Sequence, residues 1–243
     1  MLFPAPPPAD RQILRHVLET ARRLGPAGIA VFDLDSTLID NKPRQARILR
    51  EIGEHFGVPE LARSRLEHWG SSWDIRGAMR AAGLADEAIE RIFGDAIRYW
   101  AARFFTDEYC DHDCATAGAP EFLAALREVG ARVVYCTGRP ELMRQGTCKS
   151  FDRFGFPPAT GDGAVLLMKP SAHDVDDEFK RDVQPRLREL GRVFAAFDNE
   201  PSHINGYRVG FPEAHVVHLA TDHSGRDVAV AAGIPSIVDF ILP

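Results

Sequence analysis

A chain of 243 residues, 45% hydrophobic and 26% charged, carries enough apolar material for a core without disulfide or metal staples. Its formal charge of −6 excludes the basic excess expected of a protein that binds nucleic acid or an anionic membrane. No apolar run reaches bilayer-spanning length, the start lacks the basic-then-apolar pattern of a signal peptide, and four cysteines make no disulfide framework. The expectation is a cytoplasmic enzyme.

Residues 1–9, with Pro4, Pro6, Pro7 and Pro8, read as an extended or disordered arm. A helix is predicted over 10–24, with Asp10 as N-cap and Gly25-Pro26 as its stop. The run Gly28-Ile-Ala-Val-Phe-Asp-Leu-Asp35 then suits a strand buried on both faces. Residues 41–116 are helical in pattern. Pro43 stands at a first helical position, Ala46, Leu49, Ile52 and Phe56 recur at helical spacing, and Gly57 suits a C-cap. Ile89, Phe93, Ile97, Trp100 and Phe104 give a second stripe. Further strands are predicted at 131–137, 164–168, 193–197 and 215–220, with helices over 120–129, 140–154, 175–190 and 201–207. This alternation predicts an α/β core with a parallel sheet, right-handed crossovers and a ligand crevice at the carboxyl ends of the strands. The domain reading is a core of 1–40 and 117–243, with an all-helical domain at 41–116 inserted after the first strand.

Chemistry-bearing residues collect at those strand ends. Asp33, Asp35 and Thr37 form Asp-x-Asp-x-Thr where the first strand breaks into a loop. One carboxylate there can attack phosphorus while the other serves as general acid and base. Two carboxylates and a phosphate repel one another, so a divalent cation is called for, and magnesium with its preference for oxygen ligands fits best. Thr137-Gly138-Arg139 follows the second strand and offers a hydroxyl and a backbone N–H to phosphate oxygens. Asp198-Asn199-Glu200 ends the fourth strand and supplies an acid for a metal site, though alone it reads equally as a helix cap ahead of Pro201. Lys180 lies in the helix before that strand, where an ammonium would neutralise nucleophile and phosphate. Each feature is ambiguous by itself; their order along the chain makes the pattern.

In these motifs the sequence resembles the haloacid dehalogenase superfamily. Phe32-Asp33-Leu34-Asp35-Ser36-Thr37-Leu38 is similar to its first motif, Thr137-Gly138-Arg139 to its second and Asp198-Asn199-Glu200 to its fourth. For the motif lysine, Lys180 is preferred and Lys169 in Met-Lys-Pro is the rival. The resemblance implies a Rossmann-like three-layer core with the inserted segment as a C1 cap that closes over the site and selects the substrate. It implies Asp33 as nucleophile, Asp35 as general acid/base, Lys180 as the charge-balancing lysine, and magnesium on Asp33, Asp198 and the backbone carbonyl of Asp35. Thr37, Thr137, Gly138 and Arg139 would line the phosphoryl site. An aspartate at position 35 implies phosphate chemistry, because dehalogenase members lack an acid there. Asn199 and Ser202 stand where many members carry a second acid, which leaves that metal contact to Glu200, Asn199 or a water.

Other clusters read as structural. Cys110-Asp-His112-Asp-Cys114 matches no common zinc spacing and reads as the return from the helical domain, with Asp113 directed toward the active site. Trp69, Trp73, Arg76 and Arg80 read as packing tryptophans and solvated arginines rather than a substrate face. His215 and His218 point to opposite faces of a strand. The function expected is a magnesium-dependent phosphomonoesterase acting on a small phosphorylated metabolite, with no nucleic-acid or membrane partner. A phosphotransferase or mutase on the same scaffold, and a non-catalytic phospho-ligand module, remain as alternatives.

Overall fold

The computed structural model describes residues 12–160 and 164–243; the expected arm at 1–9 and the Asp10 cap lie outside the described residues. In chain order the elements are α1 (Gln12–Leu24), β1 (Gly28–Phe32), β2 (Ile39–Asp40), α2 (Lys42–Phe56), α3 (Pro59–Ala62), α4 (Ile75–Ala81) and α5 (Asp86–Phe104). Next come β3 (Cys114–Ala115), α6 (Ala119–Glu128), β4 (Arg132–Pro140), α7 (Arg144–Phe154), β5 (Ala164–Lys169), α8 (Asp176–Asp182) and α9 (Gln184–Leu190). The chain ends with β6 (Arg192–Asp198), α10 (Pro201–Gly210), β7 (His215–Leu219) and β8 (Ser236–Ile237).

The described chain separates into two compact units. One comprises the described residues through Ile39 with Ala115–Glu141 and Phe151–Pro243; the other is Asp40–Cys114 with Leu142–Ser150. This division differs from the predicted 41–116 chiefly by the second segment. Gly146 N–H bonds Asp107 Oδ1 at 2.6 Å and Ser150 Oγ bonds Cys110 O at 3.3 Å, so the start of α7 joins the helical unit. A Cβ on Gly146 would meet Asp107 O at 2.3 Å, which is why only glycine lets the backbones approach here.

The first unit holds a six-stranded sheet of order β5-β4-β1-β6-β7-β8, parallel at every pairing. Strand order runs outward from β1 in both directions, so a crevice opens at the carboxyl end of β1. Every residue of β1 is buried. Ile29 and Val31 join Val134, Ala196, Leu187, Ile204 and Tyr207 in the cluster under α9 and α10. Phe32 packs on the other side, stacked on Phe197 at 4.7 Å between centroids and edge-on to Phe122 at 6.3 Å. Each such buried ring contributes about 1.5–3 kcal/mol. The predicted helix over 175–190 is two helices: α8 gives way at Val183, and Pro185, lacking an N–H, opens α9 in its first turn. Strand β8, two residues long, has no sequence signal.

The helical unit packs α2 against α3 and α5 around Leu49, Ile52, Leu61, Met79 and Ile89. Gly57 caps α2 at φ 65°, as the sequence predicts. Trp69 is buried there, but Trp73 is 58% exposed, which corrects the reading that both tryptophans pack. Trp73 lies in the turn ahead of Asp74, the N-cap of α4, and so falls outside the helix's apolar face. Arg76 pairs with Glu90 and lies 3.7 Å over the Phe93 ring, and Arg80 pairs with Asp86 at 2.6 Å. Asp113 lies in the helical unit. It is buried against Arg44, whose Nε donates to Asp113 Oδ1 at 2.8 Å and whose Nη1 donates to Phe104 O at 3.1 Å. Among the described residues no helix is long and apolar enough to cross a membrane.

Candidate active site

Where β1 ends, Asp33 N–H still bonds Phe197 O at 2.9 Å, so the ladder to β6 carries Asp33 to the sheet's rim beside Asp198. The chain then turns sharply. Thr37 N–H and Ile39 N–H both donate to Leu34 O, at 3.0 and 2.8 Å, and Ser36 takes a left-handed φ of 58° to close the turn. That conformation is costly for a residue with a Cβ. Thr221 Oγ donates to Ser36 O and Thr116 Oγ1 to Thr37 O, pinning the loop from two distant segments.

Lys180 of α8 sits between two carboxylates. Its Nζ donates to Asp33 Oδ1 at 2.7 Å, Asp198 Oδ2 at 2.8 Å and Cys136 O at 2.7 Å, satisfying all three ammonium protons. All three side chains are buried. Burial alone would lower Lys180, but Asp198 and Asp33 outweigh it and hold the ammonium well above its ordinary range. Burial pushes Asp33 from 3.8 up to about 7; Lys180 offsets this only in part, and Asp198 adds to it. Burial also opposes ionisation of Asp198, yet Lys180 and His203 prevail and hold it below the usual carboxylate range. Lys169, the rival lysine, lies elsewhere: its Nζ donates to Asp176 Oδ1 at 2.5 Å.

Asp35 faces Arg139. Arg139 Nε donates to Asp35 Oδ2 at 2.8 Å and Nη2 to Oδ1 at 2.6 Å, a two-pronged pair between a buried guanidinium and a carboxylate 26% exposed. Arg139 thus engages a carboxylate where the sequence places it among phosphate binders. The strand predicted to end at 137 runs on to Pro140, with its pairing to β5 irregular past Thr137, which is buried and accepts Arg139 N–H on Oγ1 at 3.1 Å. A Cβ on Gly138 would lie 3.0 Å from Asp176 Oδ2, so this end of β4 and the start of α8 pack closely. Thr37, grouped with the substrate contacts in the sequence, is fully buried, and its hydroxyl donates to Asn199 Oδ1 at 3.1 Å.

Asn199 and Glu200, the two residues left open for the extra metal contact, have other partners. Asn199 Nδ2 donates to Asp222 O at 2.5 Å. Glu200 accepts from Ser224 N–H at 3.0 Å, Ser224 Oγ at 2.9 Å and Arg226 Nη2 at 3.0 Å. The remaining donors suit a hard cation: two carboxylates and the backbone carbonyl of Asp35, all oxygen. Charge suits it too. Two buried carboxylates share one ammonium, and burial pushes Asp33 up despite Lys180, so the site is short of positive charge. Magnesium therefore fits the residues present.

Several residues at this rim were missed by sequence reasoning. His203 on α10 faces Asp198, and Asp177 on α8 accepts from Ser202 Oγ at 2.7 Å and from Arg226. Thr221, Asp222, Ser224 and Arg226, in the irregular segment after β7, hold the motif loops by hydrogen bonds. The one available signal was the density of polar side chains at 221–227 just past a predicted strand end.

A family model for haloacid dehalogenase-like hydrolases matches residues 28–201. A phosphoglycolate phosphatase from Pseudomonas putida is 29% identical over 119 residues, covering 46% of this chain and 42% of the relative. One from Chromobacterium violaceum is 28% identical over 149 residues, covering 58% of this chain and 64% of the relative. The chain thus spans less than two thirds of the length of the curated relatives it matches. A solved structure of Mycobacterium tuberculosis Protein Tyrosine Kinase A superposes with a TM-score of 0.56 at 19% identity, over 88% of this chain and 94% of that one; at that identity the likeness is one of fold alone.

Proposed function

The chain belongs to the haloacid dehalogenase-like hydrolases, and from that premise we propose that it hydrolyses a small phosphomonoester through an aspartyl phosphate on Asp33. The observation that carries this reading is a buried Lys180 within hydrogen-bond distance of both Asp33 and Asp198, with Asp35 two residues beyond Asp33. In this reading Asp33 attacks phosphorus in line and Asp35 protonates the leaving oxygen. Asp35, again a carboxylate, then takes a proton from the water that hydrolyses the acyl phosphate. Lys180 balances the charge of the nucleophile and the equatorial oxygens, and the Thr137–Gly138 loop orients the phosphoryl group. Asp33, Asp198 and the Asp35 carbonyl would hold magnesium, which when bound supplies charge neutralisation of the phosphoryl group. The helical unit is read as the inserted domain of the family.

Two relatives bear the name phosphoglycolate phosphatase, so 2-phosphoglycolate belongs first in a panel of phosphomonoesters. The test is phosphate release from that panel by wild type and Asp33→Asn, each with magnesium and with a chelator. Magnesium-dependent release that is lost in Asp33→Asn is expected. Full turnover by the variant would refute the route through Asp33. Release of phosphate only when a sugar or alcohol acceptor is present would replace hydrolysis by phosphoryl transfer.

A further inference from the structure

Asp198 is gripped from both sides, and one of the grips has no counterpart in the motifs. Its Oδ2 takes the Lys180 ammonium at 2.8 Å, on the side of Asp33. Its Oδ1 accepts the Glu200 N–H at 2.9 Å and faces His203 Nδ1 at 3.4 Å. The other ring nitrogen, Nε2, lies 3.0 Å from Asp177 Oδ1, an ion-pair contact outside hydrogen-bond geometry. Asp177 is itself fixed by Ser202 Oγ at 2.7 Å and by Arg226. The His203 side chain is only 9% exposed, so water does little to dilute these contacts.

We infer that His203 is a positioning residue that holds Asp198 in the rotation needed to bind a divalent cation; this rests on the reading of Asp198 as a metal ligand. The terminal torsion of an aspartate is soft, so a carboxylate keeps one orientation only if both oxygens are held. A cation arriving between Asp33 and Asp198 must share or displace the Lys180 contact on Oδ2. At that moment the hold on Oδ1 decides whether Oδ2 still faces the cation. One backbone N–H leaves the carboxylate free to pivot about it. The imidazole, wedged between Asp198 and an anchored Asp177, removes that pivot. Asp177 and Lys180 lie one turn apart on α8, so the same helix supports Asp198 from both sides.

The test is Mn2+ binding to metal-stripped protein, read from the loss of the free-ion EPR signal; Mn2+ shares the oxygen preference of magnesium. His203→Leu, which keeps the volume and removes both nitrogens, is expected to weaken binding about 10- to 100-fold. His203→Asn, which restores an N–H toward Asp198, should recover most of that loss. Should His203→Leu fail to fold, Asp177→Asn, which loosens the outer anchor, should still weaken binding in a protein whose melting is unchanged. Binding by His203→Leu equal to wild type, while Asp198→Asn loses it, would overturn the inference alone. Tighter binding by His203→Leu would also overturn it, since the ring would then act by its charge. If Asp198→Asn binds as wild type does, the reading of Asp198 as a ligand falls, and the inference with it.

Discussion

Removing the Asp33 charge should stabilise the metal-free protein in alkaline solution. Asp33 titrates near 3.8 in an ordinary setting and is pushed to about 7 here, mainly by burial. Below about pH 4 both folded and unfolded chains carry the proton and no penalty exists. As pH rises from 4 to 7 the unfolded chain releases its proton while the folded one keeps it, so stability falls; above about 7 the penalty is constant. The displaced titration sets a ceiling of a few kcal/mol. Asn at position 33 keeps an oxygen for Lys180 but is not a protonated carboxyl, so about 2–4 kcal/mol is expected. Asp198 shifts the opposite way, its stabilisation being lost as pH falls, and because it shares Lys180 with Asp33 the comparison is read from the pH trend of the gap. The assay is urea unfolding of wild type and Asp33→Asn in chelator at pH 4.5 and 8. Asp33→Asn should be the more stable at pH 8, with the gap mostly closed at pH 4.5. Magnesium should narrow the gap at pH 8 by stabilising wild type more. A variant less stable at pH 8, or a gap independent of pH, would refute the charge accounting.

Lys180→Met leaves two buried carboxylates facing each other; it should cost about 3 kcal/mol in urea unfolding at pH 8 and reduce phosphate release at least about 100-fold. Arg139→Ala frees Asp35 from its two-pronged partner. Turnover of an alkyl phosphate, whose leaving oxygen needs a proton, should fall about 100-fold, and that of p-nitrophenyl phosphate much less; equal losses would mean that Arg139 serves the phosphoryl group instead. Ser36→Gly removes the left-handed strain at φ 58° and should raise stability by about 0.5–1 kcal/mol, read as a higher Tm.

The candidate site was legible because it is made of local signals repeated at strand ends. A strand buried on both faces leaves an unbroken apolar run, so Gly28-Ile-Ala-Val-Phe marks β1 and fixes Asp33 at its end. The same holds for β4 before Thr137 and β6 before Asp198, and parallel topology then brings those three ends together. Lys180 followed from charge: two acids and a phosphate require a cation nearby, and the acidic start of α8 set it one turn into a helix.

What stayed hidden depends on contacts that sequence spacing does not encode. Arg139 was assigned to phosphate because a lone arginine after a strand carries no mark of its partner; the fork on Asp35 exists only once β1 and β4 lie side by side. Asp113 likewise gives no sign that Arg44 waits 69 residues earlier. Trp73 and Trp69 differ only in that one falls on the apolar face and the other in the turn before α4. His203 sits one turn into an ordinary helix, and its meaning comes from Asp177 on a different helix. The loop after β7 has neither period nor motif, yet Thr221, Ser224 and Arg226 clamp the first and fourth motif loops through hydrogen bonds. The candidate catalytic groups are therefore readable from strand ends, while the groups that hold them still are supplied by long-range partners. A soft torsion such as that of Asp198 is fixed only by such partners, so the precision of this site is a property of the fold rather than of its motifs.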